Sequence, residues 1–160
     1  MQKIIENLSE ADKKIQIANH LIYVTFPLIK NKRLLIKIIQ DLKTAVLNCV
    51  NSILQYESLK KRIKLTRDPL ENFKIFSEQC APEYDLTNQE TNQILDLFEI
   101  ARKQEQSSME IMKNERVILL SKNLTSEFIT IETAKKYLQL SINLLKKTKG
   151  KFSQDKPSQK

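Results

Sequence analysis

The chain has 160 residues, a formal net charge of +8, 41% hydrophobic and 29% charged side chains, no tryptophan and one glycine, Gly150. A chain of this length and mixture buries roughly 70% of its unfolded surface in a single core rather than remaining disordered. The near absence of glycine excludes glycine-rich phosphate loops and dinucleotide-binding turns, and leaves little scope for tight hairpins.

The opening residues, Met1 to Glu6, have no apolar signal-peptide core. Ser9 with Asp12 resembles a capping box and predicts a helix start. The helix places Ala11, Ile15, Ala18, Ile22, Thr25 and Ile29 on one stripe, with Ile17, Leu21, Val24 and Leu28 beside it. An apolar face of that double width predicts burial on more than one side. Its charge-free run, Ile15 to Ile29, falls short of the about 20 apolar residues that a membrane span needs. Pro27 predicts a kink, and Lys30-Asn31-Lys32 a short connector to an antiparallel partner.

The strongest periodicity follows. Leu35, Ile39, Leu42, Val46, Cys49, Ile53 and Tyr56 recur at spacings of four and three, predicting one helix from about Lys32 to Lys64, nearly 50 Å long at about 1.5 Å per residue. Such a helix is the central beam of a small protein, and its sustained seam also suits pairing with a second copy. Asp68-Pro69 reads as an N-cap followed by a first-turn proline. The short helix it opens directs Leu70, Phe73, Phe76 and Cys80 inward and ends at Pro82.

Thr87 and Glu90 form a capping box for a helix whose apolar residues are Ile94, Leu95, Leu97, Phe98 and Ala101. Gln104 to Ser108 interrupts the pattern, and Ser107 or Ser108 caps a brief helical turn through Met112. Residues 116–131 are β-branched and partly alternating, with Lys122-Asn123 as a polar break, and read as a two-stranded ribbon or an extended arm. The last helix shows Ala134, Tyr137, Leu138, Ser141 and Leu145, with Gly150 as its left-handed cap. The expected fold is mostly α: an antiparallel bundle of about five helices with a small β-ribbon near 116–131. One domain spans 1–150, and 151–160 form a disordered basic tail.

Charge is segmented along the chain. Residues 28–67 carry ten basic and two acidic side chains, whereas residues 71–99 carry seven acidic and one basic. Segmentation of this kind serves an anionic partner or pairs the two segments within the fold. Lys30, Lys32, Arg33 and Lys37 cluster at one end of the long helix, and Lys60, Lys61, Arg62, Lys64 and Arg67 at the other. The tail lysines Lys146, Lys147, Lys149, Lys151, Lys156 and Lys160 add phosphate attraction. Lysines of this kind act as point charges without base specificity.

Catalytic chemistry has few carriers. His20 is the sole histidine and lies mid-helix without a local nucleophile or carboxylate partner. His20, Cys49 and Cys80 are about thirty residues apart, which is not zinc-ligand spacing. The two cysteines, each among apolar neighbours, read as buried free thiols in a reducing cytoplasm. No catalytic residue, metal, cofactor, membrane contact or small-molecule substrate is expected.

The stretch Ala18-Asn19-His20-Leu21 through Phe26-Pro27-Leu28, followed by a long helix with Ala45, Asn48 and Tyr56, resembles HEPN-type helical bundles and a group of small archaeal helical proteins. Ribonucleases of that superfamily carry an arginine a few residues before a histidine. No arginine precedes His20, so the resemblance implies a non-catalytic, binding or dimerising member. The expected function is a non-enzymatic interaction protein docking on nucleic acid or a nucleoprotein through the basic helix ends and tail. The alternative is a homodimeric or heteromeric helical scaffold acting through the seam Leu35, Ile39, Leu42, Val46 and Ile53.

Overall fold

A computed structural model describes residues 1–121 and 126–155. The order is α1 (Gln2–His20), a π-helical turn (Leu21–Thr25), α2 (Phe26–Ile29), α3 (Lys32–Leu59), α4 (Pro69–Ile75), a π turn (Phe76–Cys80), a 3-10 turn (Ala81–Tyr84) and α5 (Asn88–Gln106). Strands β1 (Met109–Lys113), β2 (Arg116–Leu120) and β3 (Ser126–Ile129) follow, then α6 (Ile131–Asp155). Lys122-Asn123, Lys156 and Lys160 lie outside the described residues.

Helix α1 starts earlier than the Ser9 cap suggests, because Ile4 is drawn into the core. Pro27 has no N–H to donate, and the chain meets it by widening the preceding turn, where the Phe26 N–H reaches the Leu21 carbonyl. Lys30 then takes a left-handed conformation, φ 51°, and the Asn31 side chain caps α3 by accepting from the Arg33 N–H at 2.8 Å.

Helices α1, α3, α5 and α6 form the body, with α1 and α6 both packed on α3. Gln40 donates to the Ala101 carbonyl and Lys147 bonds Glu90, so α5 runs antiparallel to both α3 and α6. Lys135 lies over the Tyr23 ring at one end and Tyr56 bonds Asp155 at the other, setting α6 in the direction of α3. The core is aliphatic, with Leu35, Ile38, Ile39, Leu42 and Ile53 fully buried along α3.

Two expected faces differ. Ile17, Val24 and Leu28, the second stripe of α1 and α2, stay exposed, Leu28 at 82%. Ile29 of the first stripe is also exposed, while Leu21 of the second packs on the core. Leu70 is likewise 82% exposed, because α4 has a single inward face and Phe73 and Phe76 occupy it.

The brief helical turn expected through Met112 is instead strand β1, and the sheet has three antiparallel strands in the order β1-β2-β3. Strands β1 and β2 join through a two-residue turn, Asn114-Glu115, with both residues left-handed at φ 54° and 63°. That is the backbone of a primed hairpin turn, usually the province of glycine. Asn tolerates it through its short polar side chain, while Glu115 carries a cost of about 1–2 kcal/mol. Val117, Leu119 and Ile129 turn inward to the core, and Met109, Ile111 and Phe128 turn outward.

Helix α6 does not stop at Gly150. It runs to Asp155 and carries Phe152 into the core, so residues 151–155 belong to the fold and not to a disordered tail. Phe152 stacks on Tyr56 with ring centroids 4.2 Å apart. This tertiary contact overrides the stop signal that glycine carries in isolation.

Candidate nucleic-acid interface

Helix α3 rises about 42 Å between its two basic ends, at about 1.5 Å per residue. At its start, the hairpin turn of the sheet docks against the lysines. Lys30 Nζ lies 2.6 Å from Glu115 Oε1, and Lys32 Nζ donates to the Glu110 carbonyl at 2.9 Å. Lys37 pairs one turn along with the buried Asp41 at 3.0 Å, where Lys14 also approaches at 3.6 Å. Arg33 is exposed and has no ion pair among the described residues. Three of the four cations named for this end therefore have partners within the chain.

The other end is built differently. The Lys61 N–H donates to the Ser58 carbonyl and the Arg62 N–H to the Glu57 carbonyl, each at 3.0 Å. With Lys61 left-handed at φ 62°, this is a Schellman termination in which lysine takes the position glycine usually fills. It turns the chain sharply, so that Lys60 to Arg67 fan out past the end of α3. Arg62 folds back to Glu57 Oε2 at 3.3 Å and Asp155 Oδ2 at 2.5 Å, and the Tyr56 hydroxyl donates to Asp155 Oδ2 at 2.8 Å. Lys60 Nζ sits 5.6 Å from the Tyr56 ring centroid. Lys61, Lys64 and Arg67 are exposed without an acidic partner among the described residues.

Asp155 clasps α6 to α3 and so brings a second basic segment to this end. Lys146 and Lys149 are exposed and Lys151 is half-buried, all on ordered helix. Lys60, Arg62 and Lys151 thus meet around Asp155 at this end, with Lys149 and Lys146 following back along α6. The lysines of α6 were legible as charge. Their place beside α3 was not, because Gly150 reads as a stop.

The electrostatics of the clasp are divided. The Tyr56 hydrogen bond, with Arg62 and Lys60 nearby, holds the Asp155 carboxyl below its ordinary value. Burial pushes Glu57 up despite Arg62, and pushes Tyr56 up with help from Asp155. Glu57 is only 4% exposed, and its Oε2 accepts no well-formed hydrogen bond. Its 3.3 Å approach to Arg62 is an ion pair without hydrogen-bond geometry.

The seam residues Leu35, Ile39, Leu42, Val46 and Ile53, expected to meet a partner, are fully buried inside this chain. Helices α1, α5 and α6 already cover α3, so the seam is the core and offers no external face. His20 is exposed. Cys49 and Cys80 are buried free thiols, each pushed up to about 12 by desolvation. Among the described residues, no three His, Cys, Asp or Glu side chains gather as a metal-binding group, and no helix is long and apolar enough to cross a membrane.

No protein-family model, no curated protein and no solved structure matches the chain.

Proposed function

We infer that the chain is a non-enzymatic docking protein that binds the phosphate backbone of RNA or DNA, alone or in a nucleoprotein, through the end formed by residues 60–67 and 146–151. One observation carries this reading: among the described residues Lys61, Lys64 and Arg67 have no acidic partner, and at the same end Lys60, Arg62 and Lys151 of α6 gather around Asp155. A folded chain that places unneutralised cations together attracts polyanions at long range and releases counterions on contact. Arg33 and the paired cations Lys30, Lys32 and Lys37 stand at the opposite end and play a lesser part. The resemblance to non-catalytic HEPN-type bundles agrees with a binding role, and two buried thiols suit a reducing cytoplasm.

The test is fluorescence anisotropy with labelled 20-mer RNA and DNA over a salt series. The expected result is binding that weakens steeply with salt, losing about 0.7–0.9 in log-log slope for each phosphate contact removed. Replacing Lys61, Lys64 and Arg67 together by Gln should weaken it and flatten the slope. Affinity unchanged by that triple substitution would overturn the reading.

The scaffold reading survives in altered form, because Met109, Ile111 and Phe128 leave an apolar patch on the outer face of the sheet. Self-association through that face predicts a dimer that Phe128→Lys dissociates. Sedimentation showing a monomer at high concentration would remove it.

A further inference from the structure

Gly150 sits inside α6, where a glycine costs about 0.5–1 kcal/mol relative to alanine. Its φ is not positive, so no left-handed turn calls for it. A Cβ built there would meet nothing within 4 Å, so no close packing calls for it either. What the missing side chain leaves is space. Gly150 lies over a hollow of about 460 Å³ between α6 and the Tyr84-Asp85 turn.

The hollow has an ordered charge pattern. Helical spacing of three and four puts Lys146, Lys147, Gly150, Lys151 and Gln154 on one stripe of α6. Lys147 is fixed, with Nζ 2.8 Å from both the Asp85 carbonyl and Glu90 Oε1. Lys146 and Lys151 flank the glycine and have no ion pair among the described residues. Asn143 closes one end of the stripe; its Oδ1 accepts from Gln139 at 2.9 Å, so its NH₂ is the donor group left to the hollow among the described residues. Glu83 and Asp85 line the hollow on the side away from α6.

We propose that this hollow binds a phosphomonoester on a hydroxyl-rich carrier, with the phosphate between Lys146 and Lys151 over Gly150 and the carrier hydroxyls donating to Glu83 and Asp85. Two ammonium groups and an amide suit a single phosphate. The facing carboxylates disfavour a longer polyphosphate by like-charge repulsion and accept from a sugar. The volume falls in the usual range for small-ligand sites. The same chemistry comes from a free sugar phosphate or from the 5′-phosphorylated end of a strand. Assigning it to a strand end rests on the nucleic-acid reading above.

The experiment compares three probes on the full chain: ribose 5-phosphate, a 12-mer RNA with a 5′-phosphate and the same 12-mer with a 5′-hydroxyl. It uses the wild type, Gly150→Leu to fill the hollow and Lys146→Gln/Lys151→Gln to discharge it, with thermal melts to verify folding. Gly150→Ala, which should fold with equal or greater stability, controls for helix effects. The expected result is a preference of about tenfold for the phosphorylated end, the worth of one charge-assisted contact. Gly150→Leu should erase that preference, so that the two 12-mers bind alike.

Binding of ribose 5-phosphate alone, lost in Gly150→Leu, supports the site while the strand reading falls. Equal binding of both 12-mers with no ribose 5-phosphate binding overturns the site and leaves the strand reading intact. Binding of none of the three overturns both. A preference that persists in Gly150→Leu places the phosphate elsewhere and overturns the site.

Discussion

Lys30, Lys32 and Lys37 at the start of α3 and Lys61, Lys64 and Arg67 beyond its end look alike as sequence, yet their surroundings differ. The first group is met by the sheet and by its own helix: Glu115 and the Glu110 carbonyl hold Lys30 and Lys32, and Asp41 of α3 pairs Lys37. The second group follows a Schellman turn at the end of α3, where Lys151 of α6 also approaches Asp155. A basic cluster therefore keeps unpaired charge only where the fold withholds its acids. Linear charge density does not distinguish the two cases.

The comparison depends on α3 acting as a rigid strut, and breaking the strut gives the largest effect. Leu42→Ala should cost about 2–5 kcal/mol, seen as a lower urea midpoint with the slope unchanged. A loss below about 1 kcal/mol would mean that the core around α3 is looser than its complete burial implies.

The next test exchanges the ends. Lys61→Gln/Lys64→Gln/Arg67→Gln should lower polyanion affinity at least tenfold at low salt with little change in melting temperature. Lys30→Gln/Lys32→Gln/Lys37→Gln should do the reverse, lowering stability and sparing affinity. Equal losses of affinity from both triples would erase the distinction between the ends.

A pH series sharpens the description of the second end. Burial places Glu57 above its ordinary 4.5, so its protonated form suits the fold and stability drains as pH rises through the raised value. Glu90 behaves oppositely. Burial pushes it up, but Lys147 and Thr87 outweigh that and hold it below 4.5. Its contribution is present above 4.5 and is lost as pH falls through the lowered value. Glu57→Gln should thus melt higher than wild type at pH 8 and equally at pH 4, whereas Glu90→Gln should melt lower at pH 8. A lower melting temperature for Glu57→Gln at pH 8 would show that the Arg62 pairing outweighs the burial.

The smallest effect lies at the sheet contact. Lys30 and Glu115 are each about half exposed, so Lys30→Gln should cost no more than about 1 kcal/mol. A double-mutant cycle with Glu115→Gln measures their coupling. Coupling near zero would leave Lys32 and Asp41 as the agents that neutralise this end.

Features written in neighbouring residues were readable. Asp68 and the Thr87–Glu90 box each cap a helix through side-chain bonds spanning two or three residues. The period of α3 needs only its own residues. Strand β1 was not readable, because Met109-Glu110-Ile111-Met112-Lys113 has one β-branched residue and becomes a strand by pairing with β2. Its turn escaped notice because Asn114-Glu115 takes a glycine-type conformation without glycine. At the candidate site, the cations were countable, while their partners at distances of 60 to 100 residues were not.

By itself, then, the sequence determined the helices, the caps at Asp68 and Thr87, the aliphatic core and the two basic clusters, since all of these rest on local propensity and periodicity. Only the tertiary structure decided which cluster stays open, that α6 passes through Gly150, and that the α3 stripe faces inward. Those outcomes rest on contacts between residues remote in the chain: Phe152 on Tyr56, Asp155 on Arg62 and Glu115 on Lys30. Closing such loops costs entropy that local sequence does not reveal, and burial and pairing across the core offset it.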